Sequence, residues 1–251
     1  MKNTLYRQLH LANIANVAYG YARALRQSGS QASVLCYDLT HVLSMPEWAD
    51  GDFEIDIADE WAPPMEHPLV ACVRPPDWYS RIQSKDYFLK NQDFNSPRIV
   101  SATKVDALIQ ESKRYGKRWT LTPEDIHAYI PLTNALSVNF FCQHDVIFGY
   151  AYGAIPPMIS GVEPYVPVEI GTLRDTFNQD TALGRLLAMA YRSAPHTIIT
   201  NSDCLSCAVA MGMEHYSYVP HPVDEDIFSP LPAEKRLELK RALCETRYLM
   251  V

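Results

Sequence analysis

Residues 5–38 read LYRQLHLANIANVAYGYARALRQSGSQASVLCYD, and this stretch decides the fold class. Residues 5–9 predict a short strand. Residues 13–27 predict a helix, because their apolar side chains recur at three- and four-residue steps on one face. Gly29 follows as a helix stop, and residues 32–38 predict a second strand. Strand, loop, helix and strand in this order indicate a Rossmann-like opening unit.

The remainder of the chain continues to alternate short apolar runs with helical segments. Further strands are predicted at 53–57, 146–150, 165–170, 196–200, 216–219 and 248–251, and helices at 104–115, 123–142 with a break at Pro131, 155–160, 181–194, 202–212 and 233–244. This alternation predicts an α/β fold with a largely parallel, Rossmann-like sheet and helices on both faces. Residues 60–122 are rich in Pro, Trp and charged residues, and we interpret most of them as an irregular insertion.

Composition narrows the class of protein. The chain has 251 residues, 47% of them apolar and 20% charged, which is typical of a globular protein. The net charge of −7 argues against a general nucleic-acid binder. No apolar secretory leader is visible at the N-terminus, and the charge-free stretch 146–162 is too short and too interrupted by Gly and Pro for a membrane span. The six cysteines show no framework spacing, so we expect reduced thiols in a cytoplasmic protein.

Polar residues cluster where the strand predicted at 165–170 ends. In an open parallel sheet, ligands bind beyond the carboxyl ends of the strands, so Glu169, Thr172 and Arg174 are expected to face a crevice, with Gly171 between them. The alternative is a loop that carries a solvated salt bridge.

Two further segments occupy similar positions. Residues 200–203 lead from a strand into a helix N-terminus, where free N–H groups near Asn201 favour anions; capping by Ser202 is the alternative. His221 lies in the loop that leads to a predicted linker, where it could reach a cleft or form part of a hinge without chemistry.

Two motifs favour structural over chemical interpretations. Cys204 and Cys207 have C-x-x-C spacing at a helix start, but without a thioredoxin-like context we interpret them as structural. The basic run at 113–119 could touch anionic lipid head groups or an anionic acceptor, and a solvated helix end is the alternative. The histidines show no metal-binding spacing, so no metal site is predicted.

The segments 200–212 and 219–230, in this order, resemble the end of the N-terminal domain of GT-B glycosyltransferases, family 4-like. Residues 13–16, which open the first helix, resemble the loop that faces the cleft in that family. The resemblance covers most of the chain except 60–122. It implies that residues 1–228 form the N-terminal, acceptor-side domain, and that 229–251 form a linker helix and the truncated start of the C-terminal donor-binding domain.

The resemblance implies an enzyme of carbohydrate biosynthesis that moves a sugar from a nucleotide-sugar donor to a hydroxyl of an acceptor glycan or small molecule. The donor is a co-substrate, and no other cofactor is expected. Glu169 is the candidate general base, since a carboxylate suits proton removal from an acceptor hydroxyl. The candidate substrate-binding residues are Asn13, Asn16, Gly171, Thr172, Arg174, Asn201 and His221. Asn13 and Asn16 stand where glycines are frequent in the family.

Catalysis in this fold needs a second domain that binds the donor. The chain alone is therefore expected to be inactive unless a C-terminal donor domain or a partner chain supplies that site. Two alternatives remain open. The chain could be a non-catalytic binding or assembly domain that works with a separate partner chain. It could also be half of a GT-B-like nucleotide-sugar epimerase, since the same architecture supports both activities.

Overall fold

A computed structural model describes residues 6–37, 41–51, 55–61, 65–82, 100–129, 139–222 and 231–245. The chain divides into two compact units, Met1–His221 and Pro222–Val251. The described part of the second unit contains one long helix, Ala233–Glu245, which agrees with the helix predicted at 233–244.

The first unit is built on a seven-stranded sheet in which every strand is parallel to its neighbours, with the order β3-β2-β1-β4-β5-β6-β7. The strands are β1 (Arg7–Leu11), β2 (Gln31–Tyr37), β3 (Tyr79–Ile82), β4 (Val146–Tyr150), β5 (Tyr165–Glu169), β6 (Thr197–Ile199) and β7 (Tyr216–Tyr218). The predicted α/β class with a Rossmann-like parallel sheet is confirmed.

Helices surround the sheet. The α-helices are α1 (Val17–Gln27), α2 (Pro46–Asp50), α3 (Pro68–Ala71), α4 (Ala102–Ser112), α5 (Pro123–His127), α6 (Ile155–Ser160), α7 (Ala182–Ser193), α8 (Cys204–Ala210) and, in the second unit, α9 (Ala233–Glu245). Short 3-10 helices lie at Ile14–Asn16, Val42–Ser44, Lys113–Tyr115, Lys117–Trp119, Ala151–Ala154, Thr172–Arg174 and Thr176–Asn178. The start of α5 follows its sequence signal: Thr122 and Asp125 form a reciprocal capping box.

Two apolar clusters pack on opposite faces of the sheet, as the two-residue period of a strand requires. Leu9 and Leu11 of β1 point into the larger cluster, which also includes Leu186 of α7. Val34 of β2 points into the smaller cluster with Ala18 of α1. The core thereby fixes which strand residues face each layer of helices.

The strand order reverses between β1 and β4, which is the point where doubly wound sheets open a crevice at the carboxyl ends of their strands. Here the backbones after the two strands pack closely together. Ala12 and Ala151 both adopt positive φ angles, 70° and 49°. A Cβ atom on Gly153 would lie 2.4 Å from the carbonyl oxygen of Leu11, so only glycine permits this approach.

Two predictions about elements are wrong. Residues 55–57 are not a strand; residues 53 and 54 lie outside the described residues. The third strand is β3, inside the segment predicted as an insertion, and among the described strands it pairs only with β2. Its sequence, YSRI, is short and carries Arg81, which binds Glu47, so no apolar run marks it. Ser202 does not cap α8: the N-cap residue is Asp203, which makes no side-chain cap bond.

Three other predictions fall on residues that the structure does not describe. These are residues 130–138 of the predicted helix, residues 228–230 of the predicted linker, and the predicted strand at 248–251.

Candidate functional site

Glu169 is the last residue of β5, and its side chain is fully buried. Strand alternation explains this, because Tyr165 of the same strand points into the larger apolar cluster and Glu169 lies four residues further on, on the same face. The hydroxyl of Tyr165 donates to the carbonyl oxygen of Ala190 in α7. Glu169 therefore points beneath α7 instead of out from the sheet edge.

Five donors converge on the carboxyl group of Glu169, and the most distant of them is the thiol of Cys204, 3.9 Å from Oε1. Oε1 accepts hydrogen bonds from the backbone N–H groups of Gly171, at 2.5 Å, and Leu173, at 2.9 Å. Oε2 accepts from the hydroxyls of Thr172, at 2.5 Å, and Tyr191, at 2.8 Å. Oε1 therefore accepts from two backbone N–H groups, and Oε2 lies within hydrogen-bonding distance of two hydroxyls.

This arrangement makes Glu169 the anchor of the loop that follows β5. The carboxyl group satisfies backbone N–H groups that would otherwise be buried without partners. Burial, and the neighbouring Glu169, raise the pKa of Tyr191 well above its ordinary value, so its hydroxyl keeps its proton and remains a donor. The geometry favours a positioning role for Glu169, and the catalytic role stays a prediction.

Gly171 and Arg174 lie on the outer side of this loop. Gly171 has a φ angle of +127°, and a Cβ atom there would lie 2.5 Å from Nη1 of Arg174. Arg174 forms a bidentate ion pair with Asp203, through Nε at 2.5 Å and Nη2 at 3.0 Å. The hydrogen bond from Arg174 lowers the pKa of Asp203, and the same bond raises the pKa of Arg174. The pair is exposed, so the loop presents a charged surface to solvent.

Asn201 borders the same surface from β6. It is half-buried, and its Nδ2 lies 3.4 Å from Oγ1 of Thr200 and 3.9 Å from the position of a Cβ atom on Gly171. Thr200 in turn ties β6 to β5, since its hydroxyl donates to the carbonyl oxygen of Glu169 at 2.7 Å. The structure thus brings together five of the predicted site residues: Glu169, Gly171, Thr172, Arg174 and Asn201.

Asn13 and Asn16 form a second group after β1. Asn13 is fully buried; its Nδ2 donates to Oδ1 of Asn16 at 2.6 Å and to the carbonyl oxygen of Ser44 at 2.9 Å. Nδ2 of Asn16 donates to the carbonyl oxygen of Met45 at 3.1 Å. These amides hold the loop after β1 against residues 44–45 through hydrogen bonds. None of the hydrogen bonds among the described residues joins this group to the Glu169 loop.

His221 belongs to neither group. Its ring lies edge-on to Tyr21 of α1, with 6.1 Å between ring centroids, and the hydroxyl of Tyr21 donates to the carbonyl oxygen of Pro220. Burial lowers the pKa of His221, which keeps the ring neutral at pH 7.

Two residues of the loop environment were not among the site residues predicted from the sequence. Tyr191 falls within the helix predicted at 181–194, and a buried phenol there needs a hydrogen-bond partner and so signals a polar group nearby. Asp203 stands in the quoted segment 200–203, but its partner Arg174 is 29 residues away, and only the parallel pairing of β5 and β6 brings them together.

The structure favours a structural interpretation of the cysteines. Cys204 is fully buried, and burial, with the nearby Glu169, raises the pKa of its thiol to about 11. Such a thiol is protonated at pH 7 and is a poor nucleophile. Within the described residues, no three His, Cys, Asp or Glu side chains lie close enough to hold a metal ion. Nor does any helix in the described part of the chain have the length and apolar character needed to cross a bilayer.

Comparisons with protein-family models, with curated proteins and with solved structures found no match for this chain. The chemistry must therefore be argued from the site itself. A fixed loop at the carboxyl edge of a parallel sheet, with a guanidinium and an amide at its surface, can hydrogen-bond hydroxyl, carboxylate or phosphate groups.

Proposed function

We propose that the chain is the acceptor-side domain of a glycosyltransferase that moves a sugar from a nucleotide-sugar donor to an acceptor hydroxyl. The resemblance of segments 200–212 and 219–230 to the GT-B N-terminal domain suggests this class of reaction. In such an enzyme the nucleotide binds mainly to a second Rossmann-like domain, and the two domains face each other across the carboxyl edges of their sheets.

One observation carries the proposal: the buried carboxyl group of Glu169 holds the loop after β5 in a fixed shape, and this loop presents Arg174 at the carboxyl edge, beside Asn201, which follows β6. A substrate site has to keep its groups in place, and a buried anchor of this kind does so. In this proposal Arg174 and Asn201 bind substrate, while Glu169 positions the loop. Asn13 and Asn16 shape the adjoining loop after β1.

The test uses the full-length protein, meaning this chain together with the C-terminal donor domain or partner chain that supplies the donor site. It measures release of nucleoside diphosphate from a panel of nucleotide sugars in the presence of mixed acceptors. We expect Arg174→Ala to lower transfer about tenfold or more, because it removes charge-assisted hydrogen bonds to substrate. The matched control is Arg7→Ala. Arg7 forms the same kind of exposed pair with Asp145, with Nη2 at 2.9 Å from Oδ1, at the opposite edge of the sheet.

Transfer that falls in Arg174→Ala and stays within about twofold of the original protein in Arg7→Ala supports the proposal. Equal effects of the two substitutions, or no transfer from any donor in the panel, count against it. Interconversion of nucleotide sugars without an acceptor would support the epimerase alternative instead.

A further inference from the structure

A second polar site lies apart from the Glu169 loop and from the group around Asn13. An open pocket of about 510 Å³ is lined by Lys117, Arg118, Thr120, Thr122, Asp180 and Arg185. Its walls come from the 3-10 helix Lys117–Trp119, the start of α5 and the start of α7. Three of its six lining residues are cations and one is an anion, although the whole chain carries a net charge of −7. A local positive region in an acidic protein concentrates anions at that place.

Arg185 lies on the inner wall and is held from two sides. Its Nε and Nη2 donate to the buried Asp125 at 2.8 Å and 2.7 Å, which fixes the guanidinium plane. Its Nη1 donates to Asp180 at 2.5 Å, and the side chain of Asp180 is 85% exposed. Asp125 is thus a permanent partner, whereas Asp180 is a surface carboxylate that an anionic ligand can replace.

Lys117 and Arg118 supply the outer cations. Both are exposed, because Trp119 of the same turn packs inward, with its ring 4.2 Å from the guanidinium of Arg192. Arg118 is steadied by a hydrogen bond of 2.5 Å from Nη2 to the carbonyl oxygen of Asn178 and by its position 5.4 Å above the Trp119 ring. Lys117 and Arg118 thus place two exposed cations at the wall of the pocket.

We propose that this pocket binds a phosphate group. A guanidinium fork and an ammonium group are the side chains that recognise phosphate oxygens, and Thr120 and Thr122 line the same space. In the unliganded protein Asp180 occupies Nη1 of Arg185, and the arriving phosphate displaces it. This inference does not depend on the proposed function, since none of the residues assigned to substrate or loop positioning there lines the pocket.

The proposal predicts effects of opposite sign for two substitutions within one pocket. Titration calorimetry with inorganic phosphate and with pyrophosphate, at low ionic strength, measures the affinity of each variant. We expect Lys117→Gln to weaken binding about fivefold by removing an attractive charge, and Asp180→Asn to strengthen it about threefold by removing the competing carboxylate. Because both side chains are exposed, the variants should unfold at the same temperature as the original protein.

Lys113→Gln is the matched control. Lys113 belongs to the same basic run and is exposed, but it does not line the pocket and its Nζ binds Gln110 at 3.0 Å. Unchanged binding in this variant, together with the two opposite effects above, supports the pocket. An equal loss in Lys113→Gln and Lys117→Gln overturns it, since that result means that only the overall charge matters. Weaker binding in Asp180→Asn also overturns it, since Asp180 would then not compete with the phosphate.

A second binding experiment decides the source of the phosphate. It uses vesicles of phosphatidylcholine alone and vesicles that also contain about one fifth phosphatidic acid. If Lys117→Gln binds the soluble phosphates more weakly than the original protein does, the ligand is a free phosphate compound. If Lys117→Gln weakens binding only to the acidic vesicles, the ligand is a lipid head group. Absence of binding to both probes up to about 10 mM phosphate refutes the inference.

Discussion

Replacement of Glu169 by alanine tests the central claim about the candidate site, which is that its carboxyl group holds the loop in place. The substitution leaves the N–H groups of Gly171 and Leu173 without their acceptor. A buried donor without a partner costs about 1–3 kcal/mol, so the two N–H groups cost about 2–6 kcal/mol together. The hydroxyls of Thr172 and Tyr191 lie 3.3 Å apart and can form a hydrogen bond with each other, so the loss of their bonds to Glu169 adds little to this cost.

We therefore expect Glu169→Ala to lower the free energy of unfolding by about 4 kcal/mol. Glu169→Gln is the matched variant of equal size. Its amide oxygen can still accept from the two N–H groups, and its NH₂ group can donate to the hydroxyl oxygens of Thr172 and Tyr191 once these rotate. Glu169→Gln should then lower the free energy of unfolding by only about 1–2 kcal/mol, because a neutral acceptor forms weaker hydrogen bonds.

Urea unfolding followed by circular dichroism measures both values. A loss below about 1 kcal/mol in Glu169→Ala would refute the reasoning, because the N–H groups would then have found other partners. Activity of the full-length protein separates positioning from catalysis. A positioning residue should leave Glu169→Gln largely active, whereas a general base should leave it stable but inactive.

Two further outcomes follow from the described contacts. Gly171→Ala should lower the free energy of unfolding, measured with urea, by about 1–3 kcal/mol, because residue 171 has a φ of +127° and a Cβ atom there would clash with Arg174. The control is Gly20→Ala in α1, where a Cβ atom meets nothing within 4 Å; this substitution should be neutral or stabilising. His10 is buried in β1, and burial lowers the pKa of its ring to about 3. The unfolded chain, with a His pKa near 6.5, binds more protons below that pH, so stability should fall as the pH drops from about 6.5 to 3. In His10→Gln this fall should be less steep by up to about 1.4 kcal/mol per pH unit, and an unchanged slope would contradict the assignment.

Elements with strong local signals were predictable from the sequence. The limits of β4 and α6 agree with the predicted segments 146–150 and 155–160, because an apolar run and a Pro-initiated turn mark them locally. The edge strand β3 was not predictable, since only its register against Val34 of β2 makes it a strand. Its four residues carry no period that a sequence pattern could detect.

The candidate site was predictable as a place but not as an arrangement. The rule that ligands bind at the carboxyl ends of parallel strands placed Glu169, Arg174 and Asn201 at one edge, and the structure brings them there. What the pattern could not reveal is the direction of Glu169. Its burial depends on Tyr191, which lies 22 residues later and closes over the carboxyl group from α7.

The sheet carries two exposed Arg–Asp pairs of similar geometry, and their surroundings explain why only one is a candidate for binding. Arg7 and Asp145 join the starts of β1 and β4. Arg174 and Asp203 join loops at the carboxyl edge, above backbone that Glu169 fixes from below. A guanidinium on a fixed loop loses less conformational entropy when it binds a ligand than one at a strand start that only its pair restrains. Glu169→Ala, which removes the anchor, should therefore weaken the contribution of Arg174 to substrate binding and leave that of Arg7 unchanged, so a double-mutant cycle between Glu169→Ala and Arg174→Ala should show coupling.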